Sequence, residues 1–563
     1  MVQPKKCIIK MEPYKPPNTG RLGALRLDFN ENTAGCSPKA MEALRKITSE
    51  ELSAYPEYSA LTRKLANYLS LSEEELIPTN GSDEAIKLVM DVYLEKGDEV
   101  VLAVPTFAMF GFYARIAGAR IREIPYQKDL SFPGEKFLDS ITGKTRMVIL
   151  VNPNNPTGTS VDDAVITAII KKAKNAIVLL DEAYYQYAGN SFKGKINEFE
   201  NLIIIQTFSK AFGLAGLRIG YIISNRKNMS YVRKAASPYS VNSVAAKLAT
   251  AALDDVEFVE RYVKEVSDAK NFLSEEMGNL GIKTFPTDAN FLLADFGINC
   301  DYVFSGLKSR GILVRNVSGY PMLEGFLRIG VGTKEQASRF LKTLREVLRS
   351  RAILFDMDGI LVDVGGSYRK SIQETVKFFT GTYPTDEAIR SLKNTGNYNN
   401  DWKLSFELIR RKVCAPELKT VIGKFQEFYS SYKTNERWLV DRNLLISLKK
   451  RYALGVVTGR PKKEALYALQ SAGTKELFET LIAMDDVGDR LKPDPYGIQL
   501  AVTSIGVASA VYIGDSVEDI IAAKNAGIES IGVTSDSITK TLLLREGAKD
   551  VLDDVARLSE VLK

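Results

Sequence analysis

The sequence contains no histidine in 563 residues. Histidine is the commonest metal ligand in proteins and the side chain best suited to acid–base chemistry near neutral pH. Acid–base catalysis by this chain must therefore use lysine, aspartate, glutamate or tyrosine. A metal site must be built from oxygen ligands, which favours a hard cation such as Mg²⁺ over zinc.

Cysteine is also scarce, and the four residues stand far apart without a CxxC pair: Cys7, Cys36, Cys300 and Cys414. This spacing argues against a zinc ribbon or a disulfide framework and predicts the reduced thiols of a cytoplasmic protein. The N-terminal segment lacks an apolar stretch long enough for a signal peptide or a membrane span. The net charge is only +6 with both signs interleaved, so neither nucleic acid nor a membrane is indicated as a partner.

The chain is long enough for two or three domains, and three apolar runs in its first half end in polar residues. Apolar runs that alternate with helical segments are typical of a parallel sheet covered on both faces. In such sheets the ligand lies beyond the carboxyl ends of the strands. We therefore expect one crevice to collect the polar residues at these ends, which are Asn155, Asp181, Tyr184, Ser209 and Lys210.

Lys210 follows a buried strand, where a charge is costly. A Schiff base with an aldehyde cofactor would make this lysine both neutral and useful. Ser82 and Asp83 open an amphipathic helix whose free N–H groups and positive dipole end would suit a phosphate. The alternatives are a surface lysine and a helix that is merely well capped, and the convergence of polar groups favours the functional interpretation.

The pattern changes twice further along the chain. From about residue 240, long helices and the short strands ANFLLADF, GILVRNV and FLRIGVG predict a smaller α+β domain. At 350/351 a helix passes directly into the buried strand AILFD, where we place the domain boundary. The first part would comprise a large domain of about 46–239 and a small domain of about 1–45 plus 240–350.

The second part, 351–563, also contains apolar runs that end in polar residues. Its apolar runs end at Asp356, Thr458 and Asp515, again at the carboxyl edge of a parallel sheet. A mostly helical insertion of about 366–445 separates the first two runs and is predicted to form a cap.

Taken together, residues 8 to 348 resemble the fold-type I aminotransferases that use pyridoxal phosphate, and within them the histidinol-phosphate aminotransferases. The resemblance implies the fold-type I architecture, pyridoxal phosphate as cofactor and small-molecule substrates. It also implies a homodimer whose subunits share their active sites. The matching segments are PYKPP, LDFNEN, GSDEAI, PTFAMF, NPNNPTG, DEAY, TFSKAFGLAGLRIGY and VRNVSGYPMLEGFLRIGVGT.

The resemblance also implies roles for single residues. Lys210 would bind the cofactor and carry a proton, and Asp181 would pair with the protonated pyridine nitrogen. Tyr55 would reach the cofactor phosphate of the neighbouring subunit. The other implied contacts are Asn155 and Tyr184 to the ring hydroxyl, Phe107 on the ring face, and Ser82, Asp83, Ser209 and Arg218 around the phosphate.

Substrate choice would lie with two arginines. Arg328 would bind a carboxylate, and Arg315 suits a substrate that bears a phosphate. The chain departs from the family at Thr33-Ala34-Gly35, where an aromatic residue that contacts substrate is common. Threonine-phosphate decarboxylases and aromatic-amino-acid transaminases share much of the pattern and stay open as alternatives.

Residues 351 to 563 resemble the haloacid dehalogenase-like phosphatases with a helical cap. The four motifs DMDG, VVTGR, LKPDP and GDSVED are present in order. The resemblance implies that Asp356 attacks phosphorus and that Asp358 protonates the leaving group and later activates water. Thr458 and Lys492 would bind the phosphoryl oxygens, and Mg²⁺ would be held by Asp356, Asp515 and the carbonyl of Asp358, with Asp519 in support.

The sequence therefore predicts a bifunctional enzyme. One half would transaminate histidinol phosphate with 2-oxoglutarate, a reaction of histidine biosynthesis, and the other would hydrolyse a small phosphate ester such as histidinol phosphate. A histidine-free sequence suits an enzyme needed when histidine is short, although the Cys/His zinc loop of some histidinol-phosphate phosphatases is missing. Alternatives for the second half are a phosphatase of other specificity, for example phosphoglycolate-like, and a module that has lost catalysis.

Overall fold

A computed structural model describes residues 2–9, 11–13, 20–393, 398, 400–414 and 416–562, without the side chains of Lys6 and Ile298. Most of the PYKPP segment named above lies outside these residues. The chain forms two compact units, Met1–Thr343 and Leu344–Lys563. The division falls within the helix Lys334–Arg349, which precedes the predicted boundary at 350/351.

A seven-stranded sheet forms the centre of the first unit. Its strands are β1 Leu76–Thr79, β2 Glu99–Val104, β3 Arg120–Pro125, β4 Thr145–Val151, β5 Ile177–Asp181, β6 Leu202–Thr207 and β7 Gly220–Ser224. They are arranged in the order β1-β7-β6-β5-β4-β2-β3. All strands run in one direction except β7, which is antiparallel to both β1 and β6. The predicted parallel sheet is confirmed, except that β7 runs in the opposite direction.

Both faces of this sheet are covered. Val178 and Leu180 belong to one hydrophobic core, whereas Leu179 between them belongs to the other. This is why its strands are continuous apolar runs rather than alternating ones. The helices of the chain up to residue 349 are Lys6–Ile9, Pro38–Arg45, Ser49–Ser53, Ser59–Leu69, Gly81–Tyr93, Ala108–Ala117, Gly134–Ser140, Asp163–Lys172, Tyr185–Ala188, Arg226–Ala235, Ser243–Ala252, Val256–Asn279, Cys300–Ser309 and Lys334–Arg349.

A smaller antiparallel sheet forms from the part of the chain that was predicted as an α+β domain. Its strands are β8 Lys283–Thr284, β9 Phe291–Asp295, β10 Arg315–Asn316 and β11 Phe326–Gly330, in the order β10-β11-β9-β8. A separate parallel pair, Leu25–Arg26 with Ile312–Leu313, joins the N-terminal segment to this region. The N-terminal segment therefore reaches the same part of the unit as residues 283–330.

The second unit is built on a six-stranded sheet whose neighbouring strands are all parallel. Its strands are β12 Arg351–Phe355, β13 Ala453–Val457, β14 Thr480–Ile482, β15 Ser509–Gly514, β16 Glu529–Val533 and β17 Asp550–Leu552, in the order β14-β13-β12-β15-β16-β17. The helices that accompany it are Arg442–Lys449, Lys462–Ser471, Met484–Val487, Tyr496–Ile505, Val517–Asn525, Ser537–Glu546 and Leu558–Val561.

The helical cap is inserted between two short linking strands, Val362–Asp363 and Arg437–Trp438, which pair antiparallel. Its helices are Tyr368–Thr380, Asp386–Lys393, Asp401–Arg410 and Leu418–Tyr432. They enclose a hydrophobic core of their own around Ile372, Leu404 and Phe425. Among the described residues, no helix has the length and apolar content needed to cross a membrane.

Candidate active sites

Lys210 lies three residues beyond the end of β6 and is half-buried. Its Nζ donates a hydrogen bond to the carbonyl oxygen of Phe29 at 2.9 Å. The same atom lies 5.6 Å from the centre of the Tyr184 ring. The amine is therefore enclosed at the carboxyl edge of the sheet and does not extend from the surface.

Asp181 is the last residue of β5 and is 4% exposed. Its Oδ1 accepts a hydrogen bond from the Ala183 backbone at 2.9 Å. Burial raises the pKa of Asp181 to about 7, and the nearby carboxylates of Asp83 and Glu182 add to this, while Lys210 acts in the opposite sense. A buried carboxyl group in this position is ready to pair with a cationic ring nitrogen, because a partner of opposite charge favours its ionised form.

Tyr184, which lies beside Lys210, and Asn155 are both hydrogen-bonded to distant parts of the chain. The Tyr184 hydroxyl accepts a hydrogen bond from the Asn30 side-chain amide at 2.9 Å. Asn155 Oδ1 accepts a hydrogen bond from Arg328. Asn30 has no role in the sequence-based prediction beyond its place in LDFNEN, and its left-handed backbone, with φ of 56°, could not be read from a sequence pattern.

The helix Gly81–Tyr93 begins beside Arg218. The residue that precedes the helix, Asn80, makes no side-chain capping bond, so N–H groups of the first turn stay open to an anion. Arg218 Nη2 contacts Asp83 Oδ2 at 3.0 Å, and its Nη1 lies 3.4 Å from Ser209 Oγ. A Cβ atom on Gly220 would lie 2.9 Å from Ser82 N, so glycine is needed for β7 to pass this close to the helix.

Two further predicted cofactor residues contact other aromatic rings. Phe107 immediately precedes the helix Ala108–Ala117, is half-buried and packs edge to face on Phe110 with ring centres 6.1 Å apart. Tyr55 is 77% exposed and stacks on Tyr239 at 4.5 Å. Within the described part of the chain, no recorded hydrogen bond or ring contact joins Tyr55 to the other predicted cofactor residues.

Arg315 and Arg328 lie directly opposite each other on the neighbouring strands β10 and β11. Directly opposite residues of an antiparallel pair project from the same face, so both guanidinium groups serve one side of the sheet. Arg328 is buried and donates to Asn155 and to the backbone carbonyl of Asp28. Arg315 is half-buried. The structure thus brings together the two predicted substrate-binding arginines and connects one of them to the cofactor residues.

A second group of polar residues lies at the carboxyl edge of the other sheet. Asp356, Thr458 and Asp515 follow β12, β13 and β15, which are adjacent strands. Lys492 Nζ contacts Asp356 Oδ1 at 2.8 Å and Asp519 Oδ1 at 2.6 Å. Burial alone would lower the pKa of Lys492, but these two carboxylates raise it well above its ordinary value.

The carboxylates of this second group are crowded enough to hold a cation. Asp356, Asp515 and Asp519 each offer an oxygen atom, and these atoms lie within 4.8 Å of one another. Burial, reinforced by neighbouring carboxylates, raises the pKa of Asp515 well above its usual range, and burial also raises that of Asp356 to about 7. A Cβ atom on Gly359 would lie 2.1 Å from Asp515 Oδ2, so this turn must be glycine. An all-oxygen cluster of this kind fits a hard divalent cation.

Asp358 is bound to an arginine that the sequence-based prediction left without a role. Its Oδ1 accepts a hydrogen bond from Arg460 Nε at 2.5 Å. Arg460 belongs to the VVTGR motif, of which only Thr458 was assigned. In the cap, Lys393 and Asp401 form a further ion pair at 2.9 Å that was also not predicted.

Comparison with known proteins defines both halves of the chain. Residues 23–344 match the family described as aminotransferase class I and II, and residues 353–533 match haloacid dehalogenase-like hydrolases. The chain therefore belongs to the class I and II aminotransferases and carries a haloacid dehalogenase-like hydrolase domain in its second unit.

Curated proteins similar to this chain include histidinol-phosphate aminotransferases. That of Geobacillus sp. (strain WCH70) is 37% identical over 364 residues, covering 61% of this chain and 98% of the relative. That of Caldanaerobacter subterraneus subsp. tengcongensis is 38% identical over 328 residues, covering 57% and 93%. The solved histidinol-phosphate aminotransferase of Sinorhizobium meliloti in complex with pyridoxal-5'-phosphate is 24% identical with a TM-score of 0.56, covering 62% of this chain and 98% of that one. The last comparison confirms the predicted fold of the first unit.

Proposed function

We propose that the protein is a bifunctional enzyme, a pyridoxal phosphate-dependent histidinol-phosphate transaminase joined to a Mg²⁺-dependent phosphatase. The transaminase would exchange the amino group between glutamate and imidazole-acetol phosphate, in histidine biosynthesis. The observation that carries this proposal is the convergence of Lys210, Asp181 and Arg218 on one sheet edge in a chain whose relatives bear that name.

The residues of the first site fit pyridoxal phosphate. When bound, this group supplies an aldehyde that reacts with amines and a ring that withdraws electrons from the substrate carbon. The Asp181 carboxylate would hold the ring nitrogen protonated. Arg218, Ser209 and the open N–H groups at Ser82 and Asp83 would bind the phosphate, which accounts for the approach that Gly220 permits. As the resemblance to the aminotransferases implies, Phe107 would stack on the ring face. Asn155 and Tyr184 would contact the ring hydroxyl.

Lys210 would move the proton at the substrate carbon. A lysine amine can do this only if it lies close to the substrate, and Lys210 Nζ is held at the carboxyl edge of the sheet, 5.6 Å from the centre of the Tyr184 ring. The hydrogen bond to the Phe29 carbonyl shows that the side chain reaches the N-terminal segment, which also carries Asn30.

The paired arginines support a substrate with a phosphate group. Arg315 and Arg328 project from one face, and two guanidinium groups can bind the several oxygens of a phosphate. Arg328 is already held by Asn155 and Asp28, so it would act as a fixed anchor, while the half-buried Arg315 would close on the anion.

A homodimer follows from the same proposal. Tyr55 and Tyr239 form an exposed aromatic pair at the surface of the single chain. A second copy that covers this pair would allow Tyr55 to reach the phosphate of its neighbour's cofactor.

In the second site, Asp356 would attack phosphorus and Asp358 would donate a proton to the leaving oxygen, then accept one from water. Thr458 and Lys492 would bind the phosphoryl oxygens. The fit to Mg²⁺ rests on the clustered oxygens of Asp356, Asp515 and Asp519, with the Asp358 carbonyl as a further ligand. We propose histidinol phosphate as the ester, because the fusion would then join successive steps of one pathway.

The test uses the full-length protein with pyridoxal phosphate, Mg²⁺, 2-oxoglutarate and histidinol phosphate. Glutamate formation supports the first activity and phosphate release the second, and Lys210→Ala and Asp356→Asn should abolish them separately. Absence of glutamate would refute the transaminase assignment, and absence of phosphate release the phosphatase assignment. L-Threonine phosphate and an aromatic amino acid, offered in parallel, distinguish the two alternative activities of the first unit.

A further inference from the structure

Arg460 joins the phosphatase site to the cap. Its side chain is 1% exposed. Nε contacts Asp358 Oδ1 at 2.5 Å, and Nη1 contacts Glu436 Oε2 at 3.0 Å. The guanidinium also lies 4.8 Å above the Tyr368 ring. One buried cation thus bridges a catalytic carboxylate and two residues of the cap region.

Glu436 is placed where the chain leaves the cap. It immediately precedes the linking strand Arg437–Trp438, and its Oε1 accepts hydrogen bonds from Ser367 at 3.1 Å and Tyr429 at 3.3 Å. Ser367 immediately precedes the helix Tyr368–Thr380, where the chain enters the cap. Glu436 therefore connects Arg460 to the two places where the chain enters and leaves the cap.

The hydrogen bonding of Arg460 is incomplete. Among the described residues, its Nη2 is buried without a hydrogen-bond partner. Native proteins pair nearly all buried polar groups, so an orphaned one calls for a reason other than stability. Here the contacts with Asp358 and Glu436 set the position of the guanidinium, and Nη2 is left without a hydrogen bond to a described residue in that position.

We propose that Arg460 is a positioning residue for Asp358, anchored by the cap through Glu436, and that it directs the proton transfer to the leaving group. The proposal rests on the phosphatase function proposed above. Nε contacts Oδ1, so Oδ2 is the oxygen of Asp358 that would face the leaving group. As Asp356 forms its bond to phosphorus, the P–O bond to the leaving group breaks and a proton passes from Asp358 to the leaving oxygen. The negative charge that this leaves on Asp358 develops beside the guanidinium, which stabilises it.

This role predicts that Arg460 matters most for esters whose leaving group needs a proton. An alkoxide must be protonated as it leaves, whereas p-nitrophenolate is stable as an anion. The experiment measures kcat/KM of the full-length protein with Mg²⁺ on p-nitrophenyl phosphate and on an alkyl phosphate, either histidinol phosphate or glycerol 3-phosphate, whichever the wild type hydrolyses faster. kcat/KM is chosen because it reports the steps up to departure of the leaving group.

We expect Arg460→Met to lose about 10- to 100-fold more kcat/KM on the alkyl ester than on p-nitrophenyl phosphate, in line with the usual contribution of general acid catalysis. Asp358→Asn serves as the reference and should show the same selectivity. Arg460→Lys keeps the charge but cannot form the same two-sided bridge, so its selective loss should be intermediate. Equal losses on both esters would mean that Arg460 has a structural role only.

Glu436→Gln provides a second test, because it leaves Arg460 in place and weakens its anchor. A selective loss of about 3- to 10-fold is expected, and an unchanged ratio of the two esters in this variant would overturn the proposal even if Arg460→Met fails to fold. Arg442→Met is the matched control, since Arg442 is exposed and pairs with the exposed Glu476. If the wild type hydrolyses neither ester, the phosphatase function itself is refuted, which is a different result from unselective losses in the variants.

Discussion

Asp181 should make the stability of the cofactor-free protein depend on pH. Burial raises the pKa of this carboxyl group from 3.8 to about 7. Because the folded state then binds the proton more tightly than the unfolded state, the stabilising contribution is fully present below about pH 4 and is lost as the pH rises through 7. Asp181→Asn keeps the shape of the side chain and removes its titration.

The size of this effect follows from the shift. About three pKa units at about 1.4 kcal/mol each give up to about 4 kcal/mol. With an unfolding entropy of about 2.1 cal/mol/K per residue, a unit of this size should respond with a change in Tm of roughly 6 °C. The difference in Tm between Asp181→Asn and the wild type should therefore grow from near zero below about pH 4 to as much as this value at pH 8.

Thermal unfolding of the apoprotein across this pH range provides the measurement. The wild type saturated with pyridoxal phosphate should lose the effect, because the protonated ring nitrogen then pairs with Asp181. Asp162→Asn is a suitable control, since Asp162 is an exposed acid that makes no side-chain capping bond. Parallel pH profiles for the wild type and Asp181→Asn would refute the reasoning.

Further predictions concern both sites. Lys210→Ala should lower glutamate formation by at least about 10³-fold and leave phosphate release unchanged, whereas Asp356→Asn should do the reverse; parallel assays check both, and a variant that affected both activities would contradict the assignment to separate sites. Arg315→Met should raise KM for a phosphate-bearing amine by about 10- to 100-fold and change KM for glutamate less, since a charged hydrogen bond contributes about 1.5–3 kcal/mol; equal effects on both substrates would count against phosphate binding. Lys492→Met leaves two carboxylates unpaired and should destabilise the second unit by about 3–5 kcal/mol. Mg²⁺ should restore part of this loss in thermal melts, and a melt that does not respond to Mg²⁺ would argue against the metal site.

Much of the fold was predictable because strands that are buried on both faces of a parallel sheet have continuous apolar sequences. Ile203 and Ile204 are neighbours in sequence yet face opposite cores, so both must be apolar. The reversed direction of β7 was not predictable from its composition, since a strand has the same residues in either direction. Its position depends on Gly220, since a Cβ atom there would lie 2.9 Å from Ser82 N.

The order of motifs was sufficient to collect Asp356, Thr458 and Asp515 at one edge, because adjacent parallel strands end on the same side of a sheet. The contacts that orient these groups are of another kind. Arg460 and Asp358 are separated by 102 residues, and Asn30 and Tyr184 by 154. No periodicity or local pattern connects such pairs.

The sequence by itself determined the two families, the strands and the acids and lysines that carry the proposed chemistry. The tertiary structure alone decided that Arg460 contacts Oδ1 of Asp358 and that Asn30 donates to Tyr184. The physical reason is that a hydrogen bond requires two atoms about 3 Å apart in a suitable direction. For residues on separate segments, that distance is set by how the segments of each unit pack together. The N-terminal segment packs in this way in the first unit and the cap in the second.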